Sequence, residues 1–493
     1  MSPELTAFRL RISDLAINQP HAYALWGDDL KLDYAELDAE IRLRQQVLKE
    51  LSANVVAIAL ENGPDLLIWD LAILFEGLAC VALPPFFSAA QRLHCLEQSQ
   101  ADLVIAETYY EEELEQAGFS SHEGFWVRHV SQPSPLPMGT AKLTFTSGTT
   151  GTPKGVCLSA ESVLSVAREL HRASESQHPR HHLSLLPLAI LLENIGCYAA
   201  LYAGALLSVP SQRTVGIQGA SGVDLPRLLS TLKTRNPQSM ILVPQVLLLL
   251  ISACEIGAFD ASELRFIAVG GAKVTHELLL RAESAGIPVY EGYGLSECAS
   301  VVALNRPGAH HPGSVGKPLP HVQIRLAPDG EVLIAGSGML GYLGDPDGVP
   351  EWWPSGDLGE FDANGYLYLN GRKKHQFVTS YGRNVNPEWV EAELTQRGRI
   401  AQAFVYGEAM AHNHALLWPA RPETTDLQIA DAVVQANQAL PDYARIHSWT
   451  RLEQPFTTGN GMATANGRPK RDAILAHYRH HFIEPTRAED VQS

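Results

Sequence analysis

The segment Thr144-Phe-Thr-Ser-Gly-Thr-Thr-Gly-Thr-Pro-Lys-Gly-Val156 places hydroxyls, three glycines and one lysine directly after an apolar, strand-like start. Glycines let a backbone approach an anion, hydroxyls and amides donate hydrogen bonds, and a lysine adds a mobile positive charge. The pattern suits a polyphosphate; a Gly/Thr-rich surface loop is the competing reading. It is not a Walker A loop, because Lys154 follows Pro153 and precedes Gly155 where that motif needs Gly-Lys-Ser/Thr. No G-x-G-x-x-G lies here either, which excludes a Rossmann fingerprint at this point.

Short apolar runs alternate with helical patterns through the first half of the chain. Asn54–Leu60, Ala79–Leu83, Leu103–Ala106, Met240–Val243, Phe266–Val269 and Val289–Tyr290 read as strands, while Tyr34–Leu51 and Leu66–Leu78 read as helices. That alternation predicts an α/β fold of parallel sheets covered by helices. After Gly294 the pattern changes to the short strands Gln323–Leu326, Glu331–Ile334 and Tyr366–Leu369, separated by Asp-Gly and Asn-Gly turns that favour antiparallel hairpins. Beyond the basic bridge Gly371-Arg-Lys-Lys374 come a helix candidate at Pro387–Arg397 and a strand at Ala403–Tyr406. With 493 residues the chain exceeds one ordinary core. A boundary near Lys374 divides it into residues 1–373 and 374–493.

Composition removes several classes of partner. A net charge of −17 without a long basic run disfavours nucleic acid. The most apolar stretch, Ile241–Cys254, is interrupted by Pro244 and Gln245 and is too short to cross a bilayer, so no transmembrane segment is expected. Six scattered cysteines without a C-x-x-C pair, and charges at Glu4, Arg9, Arg11 and Asp14, point to a reduced, cytoplasmic protein without a signal peptide. The histidine clusters at His171, His178, His181 and His182 and at His477, His480 and His481 lack the defined ligand set of a zinc site and read as His-rich loop and tail segments.

Further segments carry chemistry. In Tyr290-Glu-Gly-Tyr-Gly-Leu-Ser-Glu297, Tyr293 stands between Gly292 and Gly294, where its ring suits a flat partner such as a purine. Glu297 is a hard oxygen ligand suited to Mg²⁺. The segment fits a tight turn around a core tyrosine equally well. Asp357, in Trp352-Trp-Pro-Ser-Gly-Asp-Leu358, suits ribose hydroxyls or a turn cap. Asn466-Gly-Arg-Pro-Lys-Arg471 is a basic turn.

Taken in order, these segments resemble the AMP-forming adenylate-forming superfamily of acyl-CoA synthetases, peptide-synthetase adenylation domains and luciferases. Thr146–Gly155 is similar to its phosphate loop, Tyr293-Gly-Leu-Ser-Glu297 to its Tyr-Gly-x-Thr-Glu motif, Ser355-Gly-Asp357 to Thr-Gly-Asp, and Gly371-Arg372 to the start of its hinge. The resemblance implies a large N-terminal AMP-binding domain with a small β-barrel-like region, and a small mobile α+β C-terminal domain. It implies that ATP and Mg²⁺ activate a carboxylate as an acyl-adenylate, after which a thiol, coenzyme A or phosphopantetheine, takes the acyl group. By position Thr146, Ser147, Gly148, Thr149, Thr150, Gly151 and Lys154 would hold the phosphates, with Gly292, Tyr293, Gly294, Asp357 and Arg372 around the nucleoside. Thr149 and Glu297 would hold the metal, and Lys374 would be the hinge.

The family's C-terminal motif usually ends in a lysine that bridges the carboxylate and the α-phosphate. Here Arg468 occupies that place and Lys470 lies two residues on. Arginine keeps the charge and bridges anions bidentately, with a bulkier fork. Three readings follow: Arg468 acts, Lys470 substitutes, or adenylation is impaired; the first is favoured. Ile190, Leu191, Asn194 and Ile195 fall where the family places its acyl-pocket helix, with Gly270 and Gly271 opposite. A wall of Ile190, Leu191 and Ile195 suits an apolar acyl chain, with ordinary core packing an equal alternative. The lack of an aspartate for an α-amino group disfavours an amino acid, and the hinge is most like that of bacterial long-chain acyl-CoA synthetases, which implies a fatty acid. A ligase loading an acyl carrier protein is the nearest alternative, and a non-catalytic nucleotide binder the alternative of another class.

Overall fold

The computed structural model describes residues 2–130, 136–147, 153–218, 222–345, 348–464 and 467–479. Gly148, Thr149, Thr150, Gly151, Asn466, His480 and His481 lie outside the described residues. Two large sheets dominate. The eight-stranded sheet has the spatial order Gly341–Tyr342, Pro153–Ser159, Thr140–Ser147, Ala79–Ala82, Val55–Ala59, Leu103–Ala106, Phe125–Val127, Ser120–His122. The nine-stranded sheet runs Lys317–Pro318, Ser300–Leu304, Val289–Leu295, Phe266–Val269, Ser239–Leu242, His181–Leu183, Leu206–Ser208, Tyr23–Trp26, Lys31–Asp33. Their centres are parallel, as in Val56 opposite Cys80 and Leu103, and Ile267 opposite Met240 and Val289.

The strands are parallel because helices return the chain between them. Tyr34–Glu50 starts at a capping box in which Asp33 and Glu36 exchange hydrogen bonds with each other's backbone. Pro64–Glu76 begins with proline and ends at Gly77 in the left-handed region. These two helices, together with Pro3–Asn18, Ala160–Ser174 and Leu191–Ala203, bring Phe8, Leu37, Leu67, Val163 and Tyr198 into one core shared with both sheets. The apolar stretch Ile241–Cys254 becomes the end of a buried strand and the helix Pro244–Glu255, packed on the outer face of the nine-stranded sheet. Among the described residues no helix is long and apolar enough to cross a membrane.

One polar group lies at the heart of this core. Asp70, 2% exposed, forms an ion pair with Lys142 of the strand Thr140–Ser147. Its second oxygen accepts from Asn194 Nδ2 at 2.9 Å and from the Tyr198 hydroxyl. Asn194, which the sequence puts in an acyl pocket, therefore spends its amide on a core carboxylate, and Ile195 is fully buried beside it.

The hairpin-rich region forms a four-stranded antiparallel sheet in the order Val322–Leu326, Glu331–Gly336, Trp353–Phe361, Leu367–Arg372. No pairing joins its outer strands, so this barrel-like region stays open and packs Val322, Ile334 and Leu367 against Tyr293 and Val302 of the neighbouring hairpin. The C-terminal part has the helix Pro387–Thr395 and a three-stranded sheet of Ile400–Tyr406, Asn413–Pro419 and Ile446–Arg451. Leu394, Val405, Leu417 and Ile429 form its own core.

Glu193, on the helix Leu191–Ala203, is fully buried. Its Oε1 accepts from Leu185 N at 3.1 Å and its Oε2 has no partner. Burial pushes its carboxyl up to about 8 from 4.5, opposed by the hydrogen bond from the Leu185 amide. The folded protein thus holds a proton that the unfolded chain releases, so this contribution is full below about pH 4.5 and is lost as pH rises through about 8. Glu193→Gln is expected to flatten the fall in melting temperature between pH 5 and pH 8.5; an unchanged slope in thermal unfolding would refute this.

Candidate active site

Three groups of side chains converge at the edge where the large sheets, the four-stranded sheet and the C-terminal part meet. The first surrounds the phosphate-loop strands. Thr146 and Lys154 are register partners on antiparallel strands, and Thr146 Oγ1 donates to Lys154 O at 3.4 Å. Ser147 ends its strand at the same mouth. The exposed Lys154 ammonium stands 5.6 Å from the centre of the Tyr342 ring. The Tyr342 hydroxyl in turn donates to Glu297 Oε1 at 2.8 Å. Burial and the Glu297 charge both push Tyr342 ionisation upward, so the phenol remains a donor.

Glu297 reaches this place because of a tight hairpin. A Cβ at Gly294 would fall 1.6 Å from Ser300 O, so only glycine lets the strands Val289–Leu295 and Ser300–Leu304 close there. Gly292 sits earlier in the same strand, opposite Leu304.

Asp357 anchors the second group. It stands opposite Arg372 across the strands Trp353–Phe361 and Leu367–Arg372, and Arg372 Nε meets its Oδ1 at 2.8 Å. Tyr293 donates its hydroxyl to Oδ2 at 2.6 Å, and Asp357 N–H donates to Ser355 Oγ at 3.0 Å. Burial raises the Asp357 pKa, while the Arg372 charge and the Tyr293 hydroxyl oppose it. Tyr293 itself is 8% exposed with its ring in the hairpin core, because alternation along the strand turns residues 289, 291 and 293 inward. What the structure gives Tyr293 is a grip on Asp357, with little ring face left for a base. Each carboxylate oxygen of Asp357 retains acceptor capacity beyond its protein partner.

The third group comes from the C-terminal part. Thr464 N–H donates to Arg468 O at 2.8 Å and Arg468 N–H to Thr464 Oγ1 at 3.0 Å, closing a turn that presents the guanidinium. Arg468 Nη2 donates to Gly271 O at 3.3 Å. Crowding and the Arg372 cation act to lower its pKa while Asp357 and Glu297 oppose that, which places Arg468 in the field of both carboxylates. Its side chain stays open to water. Lys470 instead precedes the helix Arg471–His477, and among the described residues its ammonium pairs with no carboxylate. Lys374 lies exposed in the turn after Arg372.

The acyl-pocket residues divide. Gly270 and Gly271 follow the strand Phe266–Val269 and lie under Arg468. Ile190 is half-buried at the start of its helix, whereas Leu191, Asn194 and Ile195 face the core. Tyr342 is a site residue that the sequence does not flag; it enters only through pairing of the short strand Gly341–Tyr342 with Val156 and Cys157. A divalent cation fits here only in a particular way. Among the described residues no cluster of three ligating side chains exists. Glu297 offers one carboxylate oxygen beside its Tyr342 bond, so the rest of the shell would be phosphate and water, the usual regime of Mg²⁺. His181 and His182 bond Ser208 and Ser239 at 2.8 and 2.9 Å, as packing residues do.

The exposed Lys154, the buried Asp357 beside Arg372, and Arg468 from the C-terminal part make up the candidate site of an α/β protein. The family model for AMP-binding enzyme matches residues 14–343, and that for the AMP-binding enzyme C-terminal domain matches residues 374–485. The chain belongs to the AMP-binding enzyme family, within the adenylate-forming superfamily. It is 29% identical to the long-chain-fatty-acid–CoA ligase FadD15 of Mycobacterium bovis over 69% of this chain and 68% of the relative. It is 27% identical to the 2-succinylbenzoate–CoA ligase of Enterococcus faecalis over 94% of this chain and 98% of the relative. The fold matches the anthranilate CoA ligase AuaEII in complex with anthranoyl-AMP with a TM-score of 0.79 at 19% identity, covering 95% of this chain and 96% of that one. It also matches o-succinylbenzoate CoA synthetase of Bacillus subtilis in complex with ATP and magnesium ion, at 0.74 and 22% over 94% and 98%.

Asp357→Ala removes two hydrogen bonds to a charged group and leaves Arg372 unpaired. Titration calorimetry is expected to show ATP affinity reduced by roughly 10- to 100-fold, and Tyr293→Phe to cost about tenfold or less. ATP affinity unchanged in Asp357→Ala would remove this residue from the nucleotide site.

Proposed function

We propose that this chain is an AMP-forming acid–thiol ligase: it activates a carboxylic acid as an acyl-adenylate with release of pyrophosphate, then forms the CoA thioester. The observation that carries this reading is Arg468, brought into the field of Asp357 and Glu297 at the mouth of the phosphate-loop strands. Attack of a carboxylate on the α-phosphate joins two anions and builds charge on the departing pyrophosphate. Arg468 neutralises the approach, and Lys154 with the hydroxyls from Thr146 onward accepts the leaving group. Asp357 and Arg372 hold the ribose, and Tyr293 fixes the carboxylate that does so. A bound Mg²⁺, held by Glu297 and phosphate, supplies Lewis-acid charge. Residues 1–373 and 374–493 are the two working units, with Lys374 the hinge between them.

Fatty acids are the leading substrate class, supported by the likeness to FadD15 and by the apolar, half-buried Ile190. A second reading is an aryl acid, favoured by the near end-to-end match to 2-succinylbenzoate–CoA ligase. ATP–pyrophosphate exchange over fatty acids of graded length, 2-succinylbenzoate and anthranilate separates them. Strongest exchange with a fatty acid is expected, strongest exchange with an aryl acid would change the substrate, and none with any acid would leave a nucleotide binder. Thioester formation on CoA and on an acyl carrier protein, with the same acid, identifies the acceptor.

Arg468→Ala is expected to lower exchange by about 10²–10³-fold, as loss of one preorganised charge donor does. Lys470→Ala should cost less than about threefold in the same assay, because Lys470 precedes the helix Arg471–His477 and no ion pair is seen for it among the described residues. The reverse ranking would move the role to Lys470.

A further inference from the structure

The stretch from Gly270 to Glu277 receives three groups from the C-terminal part. Gln396, at the end of the helix Pro387–Thr395, lays its amide across this stretch. Its Oε1 accepts from Thr275 N–H at 2.8 Å and its Nε2 donates to Lys273 O at 2.7 Å. Arg397 forms an ion pair with Glu277 and is steadied by Glu393 at 3.3 Å. Arg468 Nη2 meets Gly271 O at 3.3 Å.

These contacts differ in quality. The Arg468 bond is single, long and solvent-open, which is weak as an anchor. The Gln396 pair is short, two-point and shielded, with Gln396 8% and Thr275 3% exposed. It recognises backbone groups on both sides of Val274, so it depends on the path of the loop rather than on its side chains. The placement of Arg468 over Gly271 must then come from whatever fixes the C-terminal part on this stretch.

We propose that Gln396 is a positioning residue for adenylation: its amide clasp on Lys273 O and Thr275 N–H holds the C-terminal part so that Arg468 stays in the active site. The proposal rests on the ligase reading above. Gln396 spends its amide on the loop backbone, and on this proposal it acts through Arg468.

The test uses the full chain with dodecanoate, ATP and Mg²⁺, and separately with synthetic dodecanoyl-adenylate and CoA. Gln396→Ala is expected to reduce pyrophosphate exchange by about 10- to 30-fold, the size of two lost neutral hydrogen bonds, with KM for ATP little changed. Thioester formation from the preformed adenylate should stay within about twofold, since that step does not draw on the Arg468 charge. In an Arg468→Ala background, Gln396→Ala should cost nothing more, because both act through one group. Losses that add, or that fall equally on both half-reactions, would overturn the proposal. Amide hydrogen exchange gives a readout independent of turnover: the Thr275 amide should be protected in the parent and exchange faster in Gln396→Ala. Equal Thr275 exchange in the two proteins also overturns it. If the parent exchanges pyrophosphate with no acid in the panel, the ligase reading fails while the Thr275 amide still decides the clasp.

Discussion

Asp70 and Lys142 form an ion pair with almost no contact with water, and the two large sheets are joined around it. Lys142 belongs to the strand that leads into the phosphate loop, Asp70 to a helix between the sheets, and Asn194 and Tyr198 to the helix facing the nine-stranded sheet. Desolvating two charges is costly, and a pair of this kind is tolerated where its remaining lone pairs are satisfied, as here. Removing one partner of a buried pair typically costs about 3–5 kcal/mol, because the other charge is then stranded. The strand that runs to Ser147 is therefore fixed from below by a polar junction whose members come from three elements.

Above that junction the charges are arranged in opposition to the chain's overall balance. A protein of net charge −17 gathers Lys154, Arg372 and Arg468 at one edge. Two carboxylates lie among them, each tied by a phenol: Glu297 by Tyr342 and Asp357 by Tyr293. Burial and the neighbouring carboxylates keep the paired tyrosines protonated, so each remains a donor that orients its carboxylate. This local pattern, rather than net charge, is what makes an acidic protein receptive to a polyanion.

Much of this was legible in the residues. Strands at Leu103–Ala106 and Phe266–Val269 follow directly from short buried apolar runs, and the Asp-Gly and Asn-Gly turns mark the four-stranded sheet. Asp357 and Arg372 both stand out in the sequence, but their direct pairing comes from strand register. Tyr342 and Gln396 carry no local signal; each acquires its role from a partner far away in sequence. Asn194 shows the converse. Its position on an apolar helix suggests a pocket wall, and only the buried charge of Asp70, from a helix more than a hundred residues earlier, explains why an amide is there.

Arg468 also changes what the site is chemically exposed to. On the proposed reaction the bound intermediate is a mixed anhydride, which acylates free amines. A lysine held against it is a base whose deprotonated form is a nucleophile, whereas a guanidinium stays protonated and offers no lone pair. With arginine at the close of the Thr464–Arg468 turn, the cation that on this reading promotes activation is inert toward its own product.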